Sequence, residues 1–262
     1  MSEFKHKHSL GQNFLKDKKV LTKIIDSIDV NSNDLIIEVG PGQGALTKFL
    51  KLFHAHLRCF EVDTRVKKYL TFYEDEKTKV IYDDFLHVDI ENEIKDICYN
   101  DLYVIANLPY YITTPILSKM INSSLDVKAM VLMVQNEVAN RLSAKVGTKD
   151  YGAITVFLNY YYDVEKLFFV SRQSFEPVPN VDSAVIKLTK KEKRYYLKDE
   201  KFFFQLIKES FRMKRKNIKN NLKNYDLDIV LKVLQKYDLD LTVRAESISL
   251  ECFVEMANTF CK

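Results

Sequence analysis

The apolar positions of the chain follow two rhythms. Between residues 35 and 134, short apolar runs at 36–38, 57–60, 80–82, 104–106 and 130–134 alternate with stretches whose apolar residues recur at helical spacing. That alternation predicts parallel strands covered on both faces by helices. Ahead of the first strand, residues 16–28 are apolar at Val20, Leu21, Ile24, Ile25 and Ile28, which predicts an amphipathic helix. Residues 155–162 and 184–188 read as the last two strands, paired like a hairpin. Beyond Lys190 the period turns helical. Phe203, Leu206, Ile207, Phe211, Ile218 and Leu222 mark one predicted helix over 202–222, with others over 228–237 and 250–260. The expected class is α/β, with a domain over 1–190 and a helical one over 191–262.

In such sheets ligands bind beyond the carboxyl ends of the strands, and polar residues gather there in this chain. The first strand runs into Gly40-Pro-Gly42-Gln-Gly44 and then a helical segment. Glycines admit a ligand close to the backbone, but G-x-G-x-G is not the G-x-G-x-x-G of nicotinamide folds, so an oxidoreductase is disfavoured. Glu38 stands where it can meet the positive end of a cofactor or support the loop. Glu61, about 20 residues after the loop, stands where an acid accepts ribose hydroxyls. Asp84, or Asp83 if the short loop is read one residue earlier, is placed to receive an adenine amino group. Taken singly, each acid reads as a solvated loop residue. Together they outline a cofactor crevice.

The fourth strand ends in Asn107-Leu-Pro-Tyr110. An adenine amino group is a poor nucleophile because its lone pair is delocalised into the ring. The Asn107 side-chain oxygen and the Leu108 carbonyl can accept its two N–H groups and turn the lone pair toward a methyl donor, while Tyr110 stacks on the base. Pro109 fixes the backbone and adds no competing donor.

Further motifs extend the pattern: Leu10-Gly-Gln-Asn13-Phe-Leu15, Thr114-Pro115, Gln135-Asn-Glu137-Val-Ala-Asn-Arg141-Leu, Tyr151-Gly152, Phe175-Glu-Pro177-Val-Pro179-Asn-Val181-Asp-Ser-Ala184, Arg215-Lys216 with Asn220-Asn-Leu222, and Arg244-Ala-Glu246. In this order and spacing the chain resembles, nearly end to end, the KsgA (RsmA) family of small-subunit ribosomal RNA adenine dimethyltransferases. The resemblance implies a Rossmann-like S-adenosylmethionine-dependent methyltransferase domain with a small C-terminal all-helical domain. It implies S-adenosylmethionine as cofactor, bound by Asn13, Leu15, Gly40, Glu61, Asp84 and Asn107, with catalysis at Asn107, Leu108, Pro109 and Tyr110 and with Phe175 as a second aromatic against the flipped base. The implied substrate is N6 of two adjacent adenosines in a loop near the 3′ end of 16S rRNA within an immature 30S subunit. A role in small-subunit assembly is the implied alternative to methylation as the main function. Tyr111 departs from the family's usual Asn and puts the shape of the pocket mouth in question. Erythromycin-resistance methyltransferases share the glycine loop and an Asn-x-Pro-Tyr element, but the 135–141 and 181–184 segments look like KsgA.

Composition bears on partners. Among 262 residues the formal charge is only +4, yet residues 190–223 hold 13 of the 40 Lys and Arg against 4 of the 36 Asp and Glu. Within that stretch Lys208, Arg212, Lys214, Arg215, Lys216 and Lys219 are the candidate RNA-binding residues. Cys59, Cys98, Cys252 and Cys261 have no zinc-ligand spacing, and His6 and His8 read as part of a basic arm over residues 1–8, so no metal is assigned. Nothing at the start reads as a signal peptide and no apolar run approaches the roughly 20 residues of a membrane span, so a cytoplasmic protein with no membrane partner is expected, by default a monomer.

Overall fold

A computed structural model describes residues 13–109, 111–192 and 195–261. The Leu10 to Gln12 part of the first motif, the basic arm with His6 and His8, and Tyr110 lie outside the described residues.

The alternation in the sequence is the alternation of the fold. β1 (Phe14–Leu15) and α1 (Lys18–Ile25) come first, followed by β2 (Leu35–Val39), α2 (Thr47–Leu50), β3 (His56–Phe60), α3 (Lys67–Leu70), β4 (Thr78–Ile81), α4 (Ile90–Ile94), β5 (Leu102–Asn107), α5 (Thr113–Asn122) and β6 (Val127–Gln135). Then come α6 (Asn136–Leu142), α7 (Ala153–Tyr161), β7 (Tyr162–Val170), β8 (Phe175–Glu176) and β9 (Ser183–Lys190). One seven-stranded sheet runs β4-β3-β2-β5-β6-β9-β7, parallel from β4 to β6, with β9 antiparallel to β6. β2 is buried at every position, as a strand covered on both faces must be. The buried Asp34 side chain accepts the N–H groups of Asn31 (2.7 Å) and Asp101 (3.2 Å), which ties the entries of the neighbouring strands β2 and β5 together.

The chain leaves β2 toward β3 on one side, while β5 lies on the other, so strand order reverses at β2. A crevice opens beyond the carboxyl ends at such a point. β1 pairs with β8 in a separate two-stranded ribbon, Leu15 opposite Phe175.

Two sequence expectations change. Residues 155–162 are not a strand: α7 takes 153–161 and the strand begins at Tyr162. The segment is rich in β-branched and aromatic residues, which favour strands locally. Burial decides otherwise, because Val156 and Tyr160, one helical turn apart, enter one core with Phe203, Leu206 and Phe253. The single helix expected over 202–222 is two: α8 (Glu200–Ser210) and α9 (Ile218–Asn221), separated by residues 211–217. α10 (Leu227–Gln235) and α11 (Leu250–Phe260) follow.

Chain contacts divide the protein into two compact units, Met1–Ala139 with Glu165–Lys190 and Asn140–Val164 with Lys191–Lys262. The second unit therefore takes in 140–164 as well as the residues after 190, since Tyr151, Val156 and Tyr160 belong to the helical core.

Candidate functional site

The sheet unit holds a crevice, partly open to solvent, lined by the ends of the parallel strands and the loops that follow them. The glycine loop forms its floor. Gly40, Gly42 and Gly44 all have positive φ, which side-chain-bearing residues rarely adopt. At Gly42 a Cβ would also meet the Phe14 ring at 2.6 Å, so the loop packs under β1 only because the side chain is missing.

Glu61 supports this loop from the end of β3. It is buried; one carboxylate oxygen accepts the Gly42 N–H at 2.9 Å and the other the Asp63 N–H at 2.8 Å. Burial raises its pKa, and these two backbone donors oppose the rise.

Glu38, in β2, is deeper still. Burial pushes its carboxyl up to about 7, against the stabilising hydroxyl of Thr47 and thiol of Cys59 and with the charge of Glu61 adding to the rise. The Cys59 thiol donates to its Oε2 at 3.4 Å. Two acids thus face one apolar crevice, one fixed by the loop backbone and one poised near neutrality.

Asn107 closes β5. Its Nδ2 donates to the main-chain oxygen of Asn13 at 3.2 Å, which orients the amide and leaves Oδ1 as the acceptor. The following Leu108 N–H donates to Met133 O at 3.1 Å, so this segment is fastened to β6 as it leaves the sheet.

Of the sequence candidates, Asn13, Leu15, Gly40, Glu61, Asp83, Asp84, Asn107, Leu108 and Pro109 all line the crevice, as does Tyr111, which is 60 % exposed. Both aspartates are there, and neither displaces the other: the Asp83 side chain accepts the Asp84 N–H at 2.7 Å, and Asp84 accepts the Leu86 N–H at 2.9 Å. Phe175 is elsewhere. It is 3 % exposed, packs in the core with Leu15, Leu21 and Ile24, and is not among the described residues that line the crevice. Its pairing places it opposite Leu15 in the ribbon, and both side chains belong to the same buried cluster.

Sequence reasoning passed over Val62 and Phe85. Val62 is 54 % exposed on the crevice surface although apolar, a ledge suited to a purine face. An apolar residue directly after the strand-end acid was the available signal.

Lys208, Arg212, Lys214, Arg215, Lys216 and Lys219 belong to the helical unit and are all exposed. Lys208 is in the last turn of α8, the next four lie in the 211–217 loop, and Lys219 is on α9. None has an ion-pair partner among the described residues. Among the described residues no group of three or more His, Cys, Asp or Glu is arranged to hold a metal, and no helix is long and apolar enough to cross a membrane.

Residues 3–262 match the family model described as ribosomal RNA adenine dimethylase. A ribosomal RNA small subunit methyltransferase A from Geobacillus sp. (strain WCH70) is 41% identical over 97% of this chain and 91% of its own, and one from Streptococcus thermophilus (strain ATCC BAA-250 / LMG 18311) is 39% identical over 97% and 92%. Among solved structures, a dimethyladenosine transferase from Plasmodium falciparum superposes with a TM-score of 0.77 at 27% identity, covering 92% of this chain and 95% of that one. The 23S rRNA methyltransferase ErmE superposes at 0.75 and 22% identity, covering 95% and 100%, a likeness of fold.

Proposed function

The chain belongs to the ribosomal RNA adenine dimethylase family, S-adenosylmethionine-dependent enzymes that dimethylate adenine in ribosomal RNA, and from that premise we propose that its substrate is N6 of two adjacent adenosines in a loop near the 3′ end of 16S rRNA. It acts in the cytoplasm, as a monomer, on an immature 30S subunit. The sheet unit carries the chemistry and the helical unit grips RNA.

The observation that carries the reading is the oriented Asn107 amide at the crevice, its N–H group engaged by Asn13 and its oxygen available. The residues present suit the cofactor: a glycine loop whose positive φ angles and missing side chains leave the backbone open at Gly40, and buried carboxylates in an apolar cleft. S-adenosylmethionine supplies there an electrophilic methyl group on a positively charged sulfur. Gly40 lets the loop approach it, Glu61 and Asp84 or Asp83 accept from its hydroxyl and amino groups, and Asn13 and Leu15 cover it.

A loop adenosine leaves its stack, as bases must for chemistry at an exocyclic atom. Tyr110 stacks on the base. Asn107 Oδ1 and the Leu108 carbonyl hold the two N6 protons and direct the lone pair out of the ring plane. No general base is required to begin, because the nitrogen becomes acidic only once it is alkylated and then loses one of these protons to water. In the second round a single N–H remains, and the pocket seats the first methyl.

Replacing Asn107 by Ala is expected to abolish dimethyladenosine formation in a radiolabelled methyl assay while calorimetry still detects S-adenosylmethionine. Retained full activity refutes the role. Mapping dimethyladenosine in ribosomal RNA from cells with and without the protein tests the proposed positions.

A further inference from the structure

The seven residues 211–217 that join α8 to α9 carry Arg212, Lys214, Arg215 and Lys216, all exposed and without ion-pair partners among the described residues. A run of like charges normally spreads in solvent. Here the backbone beneath it is pinned. At its start the Phe211 N–H donates to Ile207 O at 3.1 Å, and the ring lies 5.9 Å from that of Phe253 and 6.1 Å from that of Tyr151. Just past its end Ile218 is fully buried and its N–H donates to Val243 O at 2.7 Å.

Between these anchors one side chain holds the middle. Asn221 is 8 % exposed; its Nδ2 donates to Ser210 O at 2.7 Å and Met213 O at 3.3 Å, and its Oδ1 accepts the Met213 N–H at 3.1 Å. The Lys216 N–H donates to Met213 O at 2.9 Å and closes the turn over the same residue. A carboxamide is needed because the site asks for donors and an acceptor on one short side chain. A carboxylate has no donor, and an alkyl group has neither.

We propose that Asn221 is the positioning residue of a preformed loop for successive phosphates of an RNA backbone. By fixing Met213 it holds Arg212, Lys214, Arg215 and Lys216 on one ordered turn, so that binding does not have to order them. This rests on the reading of the basic surface as RNA-binding, and the two are separable.

The experiment measures binding of a 16S rRNA fragment containing the target loop by fluorescence anisotropy at several salt concentrations, with hydrogen exchange at the Met213 amide. Asn221→Leu removes all three side-chain bonds and leaves every cation. It is expected to weaken RNA binding roughly tenfold, to leave the salt dependence unchanged, to speed exchange at Met213, and to raise KM for RNA with kcat and S-adenosylmethionine affinity retained. Arg215→Gln with Lys216→Gln weakens binding and flattens the salt slope by about 0.7–0.9 for each phosphate no longer neutralised. If that charge variant binds as tightly as wild type, the RNA-binding reading fails and the inference with it. If it binds weakly while Asn221→Leu binds as wild type despite a fast-exchanging Met213 amide, the loop needs no positioning and the inference alone is overturned. Should Asn221→Leu melt too low to assay, Asn221→Asp decides by the same comparison, since it keeps the acceptor but sets a carboxylate against the carbonyls of Ser210 and Met213.

Discussion

A buried carboxyl beside a glycine loop carries a cost that shows in its titration. Glu38 rises from 4.5 to about 7 because burial disfavours its charge. Between those values the folded protein binds more protons than the unfolded chain, so stability falls as pH rises through the window. The full difference is about 3 kcal/mol, reached above pH 7. Glu38→Gln, which cannot ionise, is therefore expected to melt progressively higher than wild type as pH goes from 5 to 8, with the gap level beyond. A gap independent of pH contradicts the assignment. The same titration bears on the ligand: a sulfonium favours the ionised carboxyl, so S-adenosylmethionine affinity is expected to rise with pH across this window more than that of the uncharged-sulfur product S-adenosylhomocysteine, compared by calorimetry. Phe175 behaves differently. With its ring buried in the core beside Leu15, Phe175→Ala is expected to cost about 3–5 kcal/mol of stability in denaturant unfolding. Phe175→Leu separates packing from stacking: a stable variant that loses methyl transfer requires the ring to turn toward the base when RNA is present.

At the scale of elements, legibility in the sequence tracked how many interactions each element needed. Strands β2 to β6 were readable because burial on both faces forces continuous apolar runs, and the glycine loop because positive φ demands Gly. The crevice residues followed, since β2, β3, β4 and β5 are parallel and their ends share one edge. α7 was not readable: its Val, Phe and Tyr residues satisfy strand and helix alike, and only packing on Phe203 and Phe204 selects the helix. The break between α8 and α9 was masked for a similar reason, because Phe211 and Ile218 keep helical spacing while Asn217, capping α9 by accepting the Asn220 N–H at 3.1 Å, starts a new helix. Phe175 shows the limit of motif reading, which gives a residue type and not the direction of its side chain. Caps are a separate, additive contribution. The Asp226 side chain accepts the N–H groups of Asp228 and Ile229 at the start of α10, so Asp226→Ala is expected to lower stability by about 1 kcal/mol while leaving methyl transfer at low temperature unchanged.

Over the whole molecule, charge and chemistry are divided between the two units. The sheet unit sets the buried acids Glu38 and Glu61 on one crevice, whereas the six cations of 208–219, without ion-pair partners among the described residues, are all in the helical unit. A net charge of +4 would by itself predict weak attraction to RNA, but a polyanion responds to local density, and six cations without partners among the described residues release counterions together. If four to six of them meet phosphates, affinity for the rRNA fragment should fall roughly 10²- to 10³-fold between 50 and 200 mM salt. S-adenosylmethionine binding offers the internal control, because Glu38 and Glu61, which line its crevice, are buried and are screened far less. Parallel titrations of both ligands across that salt range test the division: a steep fall for RNA with a nearly flat response for the cofactor is expected, and equal sensitivity would mean that the two functions share one electrostatic surface.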